Sequence, residues 1–157
     1  MTAYRVFLSH SGADAAWVKY IAQHAQAIGV QPYLFEHDPQ PGRSVSSKVK
    51  QAIEAADAVV VLLTGNSRAS TYVQQEIGYA EAKGKLIVPL LQAGLGGTGM
   101  AMLEGRGYIQ FDFSNPGPGL QTLMNYLAKL KGMKEEQRAT LAAFGLLILV
   151  GWLASKS

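Results

Sequence analysis

The chain has 157 residues, 48% of them hydrophobic, enough for one core and short for two of ordinary size. Its 14 Lys and Arg against 11 Asp and Glu leave a formal charge of +3, but the cations are scattered, with only a loose group at Lys129, Lys131, Lys134 and Arg138, so nucleic-acid binding is set aside. The absence of cysteine excludes disulfides and thiolate metal sites and fits a reducing cytoplasm.

In chain order, Tyr4 to Ser9 reads as a buried strand that starts without the basic segment and apolar run of a signal peptide. An amphipathic helix is expected over Asp14 to Ile28, closed by Gly29, then a second strand over Gln31 to Phe35. The segment Glu36 to Ser44 is rich in turn formers, and Ser46 or Ser47 caps a helix running to Ala56. A third strand, Ala58 to Thr64, leads into a helix that carries Glu76 and is broken at Gly84. Leu86 to Leu91 is the fourth strand, Tyr108 to Phe111 a short fifth, and Leu120 to Leu130 a last helix of the domain. Strands alternating with helices, several of the strands continuously apolar, predict an α/β fold: a doubly wound, flavodoxin-like, five-stranded parallel sheet with right-handed crossovers. In such sheets ligands bind outside the carboxyl ends of the strands, which places Ser9, His10 and Ser11, the stretch from Phe35 to Ser44, and Ser67 to Glu76 around one rim.

Within that rim Glu76 stands out. At helical spacing Val73, Ile77 and Ala80 form an apolar stripe, and Glu76 falls on its edge rather than on the solvated face. A charge beside a core costs free energy unless it is partnered, so this acid is a candidate site residue, the alternative being an ordinary capping or surface acid. Ser67 and Ser70 suit helix starts better than chemistry. Gly94 to Gly99 satisfies G-x-G-x-x-G but follows the fourth strand, with no long helix or acid at the required distance, so a dinucleotide phosphate loop is rejected. The histidines His10, His24 and His37 have no ligand spacing, so no metal site is expected.

The carboxyl end differs in kind. No residue from Ala139 to Ser155 is charged, and the segment is apolar on every side. As a helix its 17 residues reach roughly 25 Å, slightly short of a hydrocarbon core of about 30 Å. The expected division is a domain over residues 1–131, a charged connector over 132–138, and a hydrophobic helix over 139–155 that anchors the chain in a membrane or packs in an assembly. Cations on its amino side would leave the domain in the cytoplasm, at the inner face of the cell membrane.

Four motifs in order resemble a bacterial TIR (Toll/interleukin-1 receptor-like) domain over roughly residues 3 to 130. They are Val6-Phe7-Leu8-Ser9-His10-Ser11 with Asp14, the Pro-Gly loop Asp38 to Ser44, the strand entry Ala56 to Leu62, and Ser70 to Ile77. The chain is similar to the small stand-alone TIR proteins of antiphage defence. The resemblance implies cleavage of the nicotinamide–ribose bond of NAD+, with Glu76 as the catalytic glutamate and Ser9, His10, Phe35, Asp38, Arg43 and Tyr72 as substrate contacts. NAD+ is then a substrate, and no cofactor is implied. The product is ADP-ribose, a cyclic isomer or a conjugate, sensed by a downstream effector, and TIR domains self-associate. Two departures stand out: Tyr72 takes the place of a common tryptophan, and Val73 that of a frequent cysteine. The alternative function is a non-catalytic TIR scaffold held at a membrane.

Overall fold

A computed structural model describes residues 3–35, 46–95 and 107–155. Five strands, β1 (Tyr4–Ser9), β2 (Val30–Leu34), β3 (Ala58–Leu63), β4 (Leu86–Gln92) and β5 (Ile109–Phe111), form one parallel sheet in the order β2-β1-β3-β4-β5. The strand order reverses direction beside β1, so the crevice between the carboxyl ends of β1 and β3 is the switch point.

The helices are α1 (Ala15–Ala27, after a single 3-10 turn over Gly12–Asp14), α2 (Ser47–Ala55), α3 (Gly65–Arg68), α4 (Thr71–Ala82) and α5 (Gly117–Ser155). Every residue of β3 is buried, because the sheet is covered on both faces and the β-branched run Val59-Val60-Val61 suits a strand with no solvated side. The period of two divides it: Ala58, Val60 and Leu62 join Val18, Ile21, Leu123 and Leu127 under α1 and α5, while Val59, Val61 and Leu63 join Val49, Ile53, Val73 and Ile77 under α2 and α4. Each such Val, Leu or Ile side chain removed from water contributes about 1.5–3 kcal/mol before entropy is charged against it.

Glycine and proline sit where the backbone requires them. Gly29 ends α1 at a φ of 82°, a left-handed conformation that other residues rarely adopt. Gly119 lets the first turn of α5 rest on β5, since a Cβ there would lie 2.6 Å from the Gln110 carbonyl oxygen. Pro32 lies in the edge strand β2. Pro89 lies in β4 ahead of Leu90, where pairing with β5 begins. Neither proline therefore falls on a stretch flanked by strands on both sides.

The expected helix over Leu120 to Leu130 is much longer. As α5 it starts at Gly117 and runs unbroken through residues 132–138 and 139–155 to Ser155, about 58 Å by its rise per residue. Its first turns bury Leu120, Leu123, Met124 and Leu127, and its distal turns, from Leu141 to Leu153, expose every large apolar side chain.

Candidate functional site

Burying a polar group is costly unless it is hydrogen-bonded, so its placement is informative. Among the described residues the buried polar and charged side chains are Ser9, His10, Ser11, Asp14, Thr64, Ser67 and Glu76. The first six come from the end of β1, the turn after it and the segment from Thr64 into α3, all at the switch point, and Glu76 comes from the second turn of α4. The polar interior is thus confined to the rim at the carboxyl ends of the two central strands and the helix rising from it.

Asp14 joins the loops. Its carboxylate accepts hydrogen bonds from the Ser11 hydroxyl (3.0 Å), the Thr64 hydroxyl (2.6 Å) and the Asn66 side-chain amide (2.9 Å). Thr64 also caps α3, its hydroxyl oxygen accepting from the Asn66 and Ser67 N–H groups at 3.1 and 3.2 Å, while the Ser67 hydroxyl oxygen accepts from the Thr64 N–H at 2.7 Å. This reciprocal capping box starts α3, which lasts one turn, and Ser70 caps α4 afresh by accepting from the Val73 N–H at 3.3 Å. The stretch expected as a single helical approach to Glu76 is therefore two helices with a break, and both serines serve as caps.

On α4 the stripe Val73, Ile77 and Ala80 packs against Phe7, Val59, Val61 and Leu63, which draws Glu76 inward until only 1% of its surface is exposed. His10 is buried, and its Nδ1 lies 3.0 Å from the Leu8 carbonyl oxygen. A carbonyl only accepts, so Nδ1 carries a hydrogen, and in the neutral ring Nε2 is the acceptor. The Ser9 hydroxyl and the Gln75 side-chain oxygen are buried without a hydrogen-bond partner among the described residues. Phe35 is half-buried against the cluster that holds α4, and Tyr72 is half-buried on the first turn of that helix. Asp38 and Arg43 lie outside the described residues.

Hydrogen bonds move Glu54, Tyr79 and Asp112 from their ordinary values. The Tyr79 hydroxyl donates to Glu54 and, with Lys83 and Lys85 nearby, holds that exposed carboxyl below its usual range, while the same bond pushes the Tyr79 phenol up. The Ser114 hydroxyl and N–H hold Asp112 down. Three clefts lie elsewhere: about 410 Å³ between β1, β2 and α2, about 580 Å³ between Tyr4, Asp57 and α5, and about 450 Å³ along the open stretch of β4 beside Tyr108 and Tyr126. Glu76 lines none of these three. No cluster of metal-ligating side chains occurs among the described residues.

The sequence reading left Asp14 without a role and passed over Gln75. Ser11 and Asp14 stand three apart at a helix start, a capping spacing that marks local structure. The bonds from Thr64 and Asn66 span 50 and 52 positions, and no local pattern reports them.

The TIR domain family model matches residues 6–124, more than half of the chain. The chain belongs to the TIR domain family. No curated protein matches this TIR chain. Among solved structures, the TIR domain of the Toll-related receptor TRR-2 from Hydra magnipapillata is similar at a TM-score of 0.61 and 14% identity, covering 78% of this chain and 96% of that one. The CMP N-glycosidase BcmB of Clostridium botulinum is similar at a TM-score of 0.55 and 18% identity, covering 78% and 98%. At those identities the likeness is one of fold. The TIR domains of the activated Roq1 resistosome share 25% identity over 58% of each chain at a TM-score of 0.47.

Proposed function

We propose that this TIR domain cleaves the nicotinamide–ribose bond of NAD+, with Glu76 as the catalytic carboxylate. The observation that carries the reading is the burial of Glu76 on α4, beside the switch point where the other buried polar side chains among the described residues gather. Nicotinamide carries a positive charge while bound to the ribose and leaves neutral, taking the electron pair of the broken C–N bond, so no strong general acid is needed. Positive charge passes to the ribose, and a carboxylate held close to its hydroxyls, away from water, stabilises that charge and orients the sugar.

In this reading the Ser9 hydroxyl and the Nε2 of His10 meet polar groups of the substrate, and Phe35 and Tyr72 wall the pocket with aromatic surface. The family resemblance adds Asp38 and Arg43 as substrate contacts. The nucleophile that reaches the ribosyl carbon sets the product. Water gives ADP-ribose and releases a proton, whereas a nucleophile from the same molecule gives a cyclic isomer. Within antiviral defence we favour production of an ADP-ribose-derived signal, read by a separate effector, over depletion of NAD+. Self-association of the domain completes or activates the site, and the apolar turns of α5 tether it to the inner face of the cell membrane.

The test is incubation of the full chain and a Glu76→Ala variant with NAD+ in the presence of phosphatidylcholine liposomes, with products resolved by chromatography and mass spectrometry. Nicotinamide release that depends on Glu76 is the expected result. Equal release by both proteins would end the assignment. The bare apolar half of α5 favours a second reading, a scaffold that gathers TIR domains at a membrane, and absence of turnover in both proteins together with vesicle binding would point there.

A further inference from the structure

The direction of α5 is fixed at both ends of the sheet. Its first turn rests on β5 near the carboxyl end of that strand, where Gly119 meets Gln110 and Phe111. Twelve to fifteen positions past Gly119, the helix has reached the opposite edge. The Lys131 side chain lies against Gly29, just before β2, and the Lys134 ammonium donates to the Ala3 carbonyl (2.9 Å), just before β1, and to Asp57 (2.8 Å), just before β3. Because all five strands are parallel, their amino ends share one edge, and α5 leaves the domain there. The apolar turns begin about 8 Å beyond Lys134, with no break in the helix between.

We infer that the bilayer lies against the amino edge of the sheet, and that the Lys134 clamp holds the rim with Ser9, Asp14 and Glu76 pointing away from the lipid. The occupant of the bare helix is a lipid bilayer rather than a second protein surface: from 139 to 155 the helix is uncharged and exposed all round, with no polar face to leave in water. This rests on the membrane-anchor reading above. Ala3 and Ser9 are six positions apart along β1, so the site stands up to about 20 Å farther from the headgroups than the clamp does. A charged flexible linker would leave the domain free to tumble. Here a continuous helix fastened at its base does not.

Gly132 explains why the clamp is placed where it is. Glycine weakens a helix interior relative to alanine, and Gly132 lies between the packed turns ending near Leu130 and the apolar turns. Lys134 sits two positions past it and bonds back to the domain, bridging the weak point. A Cβ at Gly132 would meet nothing within 4 Å, so Gly132→Ala strengthens the helix without a clash.

The absence of cysteine makes the test direct. Single cysteines, Gln137→Cys at the amino edge and Asn115→Cys beside the carboxyl end of β5, carry a donor fluorophore on the full chain. The chain is bound to phosphatidylcholine vesicles with an acceptor on a fraction of the headgroups. Energy transfer is expected to be several-fold stronger from position 137 than from 115. Lys134→Ala raises transfer from position 115 by letting the domain tilt, and adding Gly132→Ala reverses that rise. Equal transfer from the two positions in vesicle-bound protein would overturn the orientation while leaving the anchor intact, and so would a Lys134→Ala protein indistinguishable from its parent. A chain that fails to float with vesicles would remove the anchor and the orientation together.

Discussion

Asp14 and Asp57 stand at opposite edges of the same sheet, and each joins segments at least fifty positions apart. At the amino edge Asp57 accepts from the Arg5 N–H and from the Lys134 ammonium, both at 2.8 Å, so its charge is met by a cation. At the carboxyl edge Asp14 accepts three hydrogen bonds, all from neutral donors: two hydroxyls and an amide. Hydrogen bonds satisfy the carboxylate but do not cancel its charge. The amino edge is a neutral mechanical joint, whereas the carboxyl edge keeps a buried negative charge in the loops next to the helix that holds Glu76. That polarity suits a reaction in which positive charge moves from nicotinamide to ribose.

The largest expected effect tests that rim. Replacing Glu76 with glutamine keeps the volume and removes the charge, and the rate of nicotinamide release is expected to fall on the order of 10²–10³-fold. A melting curve close to that of the parent would show that chemistry, and not folding, was lost. Next comes Asp14→Ala, which strands the Ser11 and Thr64 hydroxyls in the interior and is expected to cost about 3 kcal/mol in denaturant unfolding. Asp57→Ala serves as its control at the other edge, where the partners reach water more easily and the cost is about half as much. Equal costs for the two acids would erase the contrast. Lys134→Ala is smaller again, about 1 kcal/mol, because the Asp57 carboxylate and Ala3 carbonyl it leaves behind lie near the surface and regain water.

The last prediction is silent at neutral pH. Burial, and then the negative charge of Asp57 and the nearby Tyr126, push the Tyr4 phenol up to about 12 from 10.0. A raised folded-state value means that its contribution is whole below pH 10 and is lost as pH climbs towards 12. Unfolding midpoints should therefore fall over that window. The fall should be smaller in a Tyr4→Phe protein, and an unchanged alkaline profile would show that Tyr4 does not titrate as buried.

Much of this was legible in the residues because it is local. Strand runs such as Ala58 to Leu63, the caps at Ser46 and Ser70, and the stop at Gly29 are written in neighbouring side chains, and periodicity alone places Glu76 at the edge of an apolar stripe. What was hidden depends on partners brought close by folding. Thr64 reads as the end of a strand, yet it caps α3 and binds Asp14. The charged residues 132–138 read as a connector because their pattern is polar, but Lys134 has its bonding partners at Ala3 and Asp57, and the helix continues through them. The role of Glu76 came from a family resemblance and its burial from packing; its chemistry awaits the kinetic test.

Pro32 and Pro89 acquire a second meaning beside the apolar helix. Confinement to a surface crowds copies of a protein and multiplies their encounters, and an open strand edge is a ready template on which a neighbour's strand can add. Here β2 is one edge, and the stretch of β4 ahead of Leu90 is open beside the short β5. Each carries a residue with no N–H to offer, so either open edge is one donor short of a full ladder. If the apolar helix holds copies on a membrane, the two prolines steer them away from irreversible sheet fusion and towards reversible contact between folded faces.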